Sequence, residues 1–400
     1  ASQTYYRTRE IFRARRKDSK ALSQFTARSA TKRVQGRCLA TSPPKFRTAE
    51  IWLAEGSFAK KRWCFFRRAE TKTAIANGQN NLATYLTLQG DLAGAADLFR
   101  QSLKLRKEIG DKGGEAESLN NLAELLAEQG DVTAAKAAFN ESFRLHQEGG
   151  QKGASTYQLN GLGKLLLNSG DLAGATQRLE QSQAIAREIE EKPLLSAALA
   201  GLGDVYLQQG RLGDARKAFE QALAIDKELG YREEADEISL GLAEVDIEDG
   251  RPADAQVLIQ LALKGFRNGR LSDNEISGHT LLARAMLAQA QLNDARKQIE
   301  LGRELAAKSQ NRLVVLACKI TEARVLVASG NLPAAFALLD SALAEAKKSA
   351  LVRYELEARL ALAEMEVKSG KEVGRSNLAA LRNDARAKGF ELIANKAAAL

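Results

Sequence analysis

A glycine turn returns every 40 residues along most of this chain. Gly90-Asp91-Leu92 comes back as Gly130-Asp131-Val132, Gly170-Asp171-Leu172, Gly210-Arg211-Leu212 and Gly250-Arg251-Pro252. Ala290-Gln291-Leu292 is a degenerate copy, and Gly330-Asn331-Leu332 and Gly370-Lys371 complete the series. A period held this strictly, without an insertion, demands a stack of equivalent units in which each buries its neighbour's apolar face. It excludes a single globular core.

Each unit reads as two helices joined at the glycine. Before the turn, Leu199, Leu202, Gly203 and Tyr206 fall at offsets of three and four, as do Ala215, Phe219, Ala222 and Leu223 after it. Those offsets mark one helical face. Glycine ends the first helix because a left-handed backbone costs it little, and Asp91, Asp131 and Asp171 are suited to cap the second. Five residues past each turn stand Ala95, Ala135, Ala175, Ala215, Ala255, Ala295 and Ala335. Four further on stand Phe99, Phe139, Leu179, Phe219, Ile259, Ile299 and Leu339. A small residue lets two helices touch, and the large one fills the space beside it. First helices are expected over about 73–89, 114–129, 154–169, 194–209 and 234–249, with loops between units such as 110–114.

This pattern resembles the tetratricopeptide repeat (TPR), most clearly in Leu199-x-x-Leu202-Gly203-x-x-Tyr206 with Ala215, Phe219 and Ala222. The commonest such repeat is about 34 residues. The six extra residues here are placed late in the second helix and in the loop after it. Longer units of this kind are similar to those of kinesin light chains, which share the string Leu119-Asn120-Asn121-Leu122-Ala123. The far end, 355–400, resembles the repeat arrays that close bacterial kinases and winged-helix transcription regulators. The resemblance implies an all-α, right-handed superhelical solenoid of stacked helix-turn-helix TPR units, with a concave groove lined by first helices. The array is assigned to 71–370 and C-terminal capping helices to 371–400.

In that frame the residues ten, nine and six before each turn glycine face the groove. They include Asn80 and Asn81, then Asn120, Asn121 and Glu124, then Asn160 and Lys164, and in later units Asp204 and Glu244. An asparagine amide offers both a donor and an acceptor, so Asn80, Asn120 and Asn160 could pair with the backbone of an extended peptide. They could equally bond helix to helix. The acidic positions suit a partner segment that carries Lys or Arg. Arg284 and Arg324 occupy the same position further on, so the charge of the inner face changes sign.

Residues 1–70 differ in kind. They hold 18 Lys and Arg against 5 Asp and Glu, which leaves 41 against 45 for the rest of the chain. Residues 1–50 are read as a basic leader, and a disordered arm over 1–70 that binds nucleic acid through Lys/Arg and stacking Tyr5, Tyr6, Trp63, Phe65 and Phe66 is a less favoured reading. Residues 51–70 are read as a remnant repeat, with Gly56 as its turn; sequence foreign to the array is the third reading for 1–50. The leader could also lie in the groove as an internal ligand. No Met opens the chain, which reads as a fragment or a processed product.

No cofactor, metal site or catalytic residue is nominated, and no enzyme activity is expected. His146 and His279 lack any ligand spacing, and Cys38, Cys64 and Cys318 form no C-x-x-C. The paired glycines Gly161, Gly163 and Gly201, Gly203 sit inside helices, so they read as close packing and not as a phosphate loop. No apolar run approaches the roughly 20 residues of a membrane span, and cysteine usage suits a reducing compartment, hence the cytoplasm. The function expected is a protein-interaction scaffold that binds an extended segment. The alternative is the C-terminal regulatory or sensing region of a larger bacterial signalling protein.

Overall fold

The computed structural model describes residues 71–88, 90–269, 271–370 and 372–400. The readings given for 1–50 and 51–70 lie outside these residues. The described residues form helix pairs in succession and contain no strand. The first four pairs are α1 (Lys72–Leu88) with α2 (Leu92–Ile109), α3 (Lys112–Glu128) with α4 (Val132–Glu148), α5 (Lys152–Ser169) with α6 (Leu172–Glu188), and α7 (Lys192–Gln208) with α8 (Leu212–Leu229). Then come α9 (Arg232–Glu248) with α10 (Pro252–Gly269), α11 (Ser272–Ala288) with α12 (Leu292–Ala306), α13 (Arg312–Ala328) with α14 (Leu332–Lys348), and α15 (Val352–Lys368) with α16 (Glu372–Ala387). A short helix, α17 (Glu391–Ala399), follows.

The turn inside each unit and most of the turns between units prove to be the same device, the turn over 307–311 being an exception among the described residues. Gly90, Gly130 and Gly170 are left-handed, with φ of 81°, 76° and 93°, and so are the inter-unit Gly110, Gly150 and Gly230 at 71°, 67° and 73°. Where glycine is missing, Glu190, Ala290 and Ala350 take φ of 54°, 57° and 53° in its place. A side chain in that region costs about 1–2 kcal/mol, so the frame enforces the turn even against local preference. The expected loop over 110–114 is corrected accordingly. Helix α3 already begins at Lys112, because the Asp111 carboxylate accepts from the Gly114 N–H at 2.9 Å. The residues added to the common repeat therefore extend helix and not loop.

Asp91, Asp131 and Asp171 cap their helices in the same way, accepting from Gly94, Ala134 and Gly174 at 2.9, 3.0 and 2.8 Å. All seven alanines of the repeat position are 0% exposed, and the large residue beside each is buried. The helical glycines explain the fit. A Cβ on Gly163 would stand 2.6 Å from Leu179, and one on Gly201 2.7 Å from the same side chain. Leu179 is thus held between two first helices that only glycine allows so near. Phe219 is held in the same way between Gly203 and Gly241.

The stack closes on itself. A Cβ on Gly130 would lie 2.8 Å from Arg312 Cδ, one on Gly170 2.9 Å from Val352, and one on Gly210 3.5 Å from the Leu392 backbone nitrogen. Both sides of this seam advance by one 40-residue unit at each contact. Leu162, Leu166 and Leu202 share one core with Leu356, Leu360, Phe390 and Ile393, so α15 and α17 rest on α5 and α7. Later units fill the inner face of earlier ones.

Candidate functional site

The inner row falls into two parts. In the first three units it is stitched by amides. The Asn80 Oδ1 accepts from Ser118 Oγ at 3.4 Å and from Asn121 Nδ2 at 3.3 Å. The Asn120 Nδ2 donates to Glu124 Oε1 at 2.9 Å, and its Oδ1 accepts from Gln158 Nε2 at 3.2 Å. Asn80 and Asn120 are 2% and 1% exposed. Of the two uses the spacing offered, these amides take helix-to-helix bonding. Asn81, Glu124 and Lys164 are exposed, while Asn160 is buried with its Oδ1 unpartnered.

Asn80, Asn81 and Asn120 nonetheless line one cleft, of about 670 Å³, between the first helices of these units. Its other walls include Asn77, Arg106, Gln151, Tyr157 and Gln158. The Arg106 guanidinium donates to Asn77 Oδ1 at 2.8 Å, to the Gly114 carbonyl and to Glu117 at 3.1 Å. Its Nε has no partner, and neither has the Oε1 of Gln158, which is 2% exposed. The His146 Nδ1 faces Gln151 Oε1 at 2.8 Å, and burial lowers the pKa of its imidazole. Amides dominate this surface. It can hydrogen-bond a ligand in both directions.

In later units the row is ionic. Glu244 and Glu248, on α9, take the two ends of the Arg284 guanidinium at 2.6 and 2.8 Å. Arg353 reaches Glu244 from α15 at 3.8 Å, and Lys396 reaches Glu248 from α17 at 2.6 Å. Burial acts to raise the Glu244 carboxyl, but Arg284 and Arg353 overcome it and hold it at about 2. Asp204 lacks that compensation: burial pushes it up to about 6 against Arg353 and Lys164. Burial, with Asp273 and Glu124 beside it, pushes Glu128 up to about 8, and Lys164 draws it back. The acidic row is therefore no open acidic surface. Its Lys and Arg partners come from the chain's own later units.

Sequence reasoning missed Arg106, His146 and Gln158. A signal existed. Arg106 and His146 stand sixteen residues after their turn glycine, where Ala186, Phe266 and Ala346 are buried in other units. Asp226 is a third polar residue in that core position, in the fourth unit, and of the three only Arg106 and His146 line the cleft. Among the described residues no group of three or more His, Cys, Asp or Glu could hold a metal ion, and no helix is long and apolar enough to cross a membrane.

Residues 76–240 match the family described as the MalT-like TPR region. No curated protein matches the sequence. By structure, the chain is similar to a Rap protein complexed with competence and sporulation factor, with a TM-score of 0.62 and 15% identity over 74% of this chain and 80% of that one. It is similar to the Rap conjugation gene regulator of the plasmid pLS20 in complex with the Phr* peptide, with a TM-score of 0.56 and 13% identity over 68% and 76%. It is similar also to aspartyl phosphate phosphatase F from Bacillus subtilis, with a TM-score of 0.53 and 11% identity over 72% of each chain. The fold is an all-α solenoid of tetratricopeptide type.

Proposed function

We propose that this chain is a non-catalytic scaffold that holds an extended protein segment in the polar cleft of its first three units. The observation that carries the reading is the cleft itself. It is lined by Asn77, Asn81 and Gln158, and the Gln158 acceptor is buried and unpartnered. The exposed Asn81 amide offers both a donor and an acceptor to the backbone of a bound segment. Two solenoids of similar fold carry peptide or factor ligands, the Rap protein with competence and sporulation factor and the pLS20 regulator with Phr*. Cys318, buried and without a disulfide, suits a cytoplasmic setting.

A random peptide library displayed against the full chain tests the cleft. Selected peptides should lose at least tenfold in affinity on Asn81→Arg, which crowds the cleft, and be unmoved by Leu261→Arg on the exposed face of α10. Failure to select any peptide, or equal binding to both variants, would end the proposal.

A further inference from the structure

Helix α17 is the shortest described helix, at 9 residues, and it is joined to α16 through the left-handed Gly389. Its apolar side is Ile393, Ala394 and Ala397, buried against the core shared by α5, α7 and α15. One basic side chain projects from it into the acidic row. Lys396 Nζ lies 2.6 Å from Glu248 Oε1, the oxygen that Arg284 also binds at 2.8 Å. Glu248 has a side-chain exposure of 6%, against 35% for Lys396. The carboxylate is deep and the cation sits at its mouth. Burial works most against the lysine's charge, and Arg284 and Arg324 add to it, while Glu248 favours it. The lysine is held by one carboxylate that already has another partner.

We infer that α17 is an internal occupant of a binding site formed by α7, α9 and α15, and that the site accepts from a partner a helical segment with a branched apolar residue followed three residues later by Lys or Arg. Ile393 and Lys396 set that spacing in the chain's own helix. The partner would exchange with α17, and Glu248 with Glu244 would read its cation. The site lies apart from the cleft of the first three units and does not depend on its ligand.

The probe is a fluorescein-labelled peptide with the sequence of residues 389–400, titrated by anisotropy onto the full chain. Lys396→Glu should repel Glu248, loosen the resident helix and bind the peptide at least tenfold more tightly than the wild type. A peptide with Glu in place of its lysine should not bind. Amide exchange over 391–399 should accelerate at least tenfold in Lys396→Glu and stay at the wild-type rate in Lys396→Arg, which keeps the cation for Glu248. Unchanged exchange in Lys396→Glu, or no gain in its peptide affinity, overturns the inference. Loss of helix throughout the chain in Lys396→Glu also overturns it, since α17 would then be a structural member and not an exchangeable one.

Discussion

The first three units and the last four share a backbone frame and solve the inner face in opposite ways. In α1, α3 and α5 the buried part of the row is amide, with Glu124 and Lys164 exposed, and Asn80, Asn120 and Gln158 bond to side chains on their own or the adjacent first helix. From α9 onward it is charged, and Glu244, Glu248, Arg284, Arg353 and Lys396 bond across units far apart in the chain. Neutral amides act locally and answer little to salt or pH. Buried charges tie distant segments together, and removing one partner strands the others.

Three substitutions and a pH series bear on that contrast. The largest effect is expected from Arg284→Met, which removes the partner shared by Glu244 and Glu248 and leaves them Arg353 and Lys396 alone. A cost of about 3–5 kcal/mol follows, read as a drop in the urea midpoint; a loss below about 1 kcal/mol would mean that the ionic half is not held by its ions. Next comes Asn80→Ala, which orphans the Asn121 donor, while Ser118 keeps the Ser102 hydroxyl as its partner. It should cost about 1–3 kcal/mol, and the same amount at about 0.1 M and about 1 M salt. A marked salt dependence there would erase the distinction between the halves.

The pH series follows. Glu128 and Asp204 have folded pKa values raised to about 8 and about 6. Their contribution is fully present below the ordinary carboxylate range and is lost as pH rises through those values. The melting temperature should fall from about pH 5 to about pH 8.5, by a few kcal/mol in stability at about 1.4 kcal/mol per pKa unit, and Glu128→Gln should flatten the upper part of the curve. A melting temperature that rises over this interval would contradict the burial of these acids. The smallest effect is expected from Ala290→Gly. It relieves a left-handed alanine and should stabilise by about 0.5 kcal/mol after the added freedom of the unfolded chain is subtracted.

Much of the unit was legible. The alanine row, the large residue beside it and the capping aspartates are local signals, each set by its own helix and its neighbour. The inter-unit turn was only half legible, since Gly110 and Gly150 announce it while Glu190 and Ala350 adopt the same φ under constraint from the stack. The division of the inner row was not legible. Asn80 and Asn81 are adjacent and chemically identical, yet one is buried and bonded and the other is exposed. Arg353 and Lys396 could not be assigned to Glu244 and Glu248, because that pairing depends on the accumulated curvature of several units and on no single motif.

The seam that joins Gly130 to Arg312, Gly170 to Val352 and Gly210 to Leu392 turns the number of repeats into a fixed quantity. An open solenoid can gain or lose a unit with little consequence, because every joint is alike. Here an internal duplication or deletion would set each coil against the wrong neighbour along the whole seam at once. Such an array is free to change its surface residues but not its count.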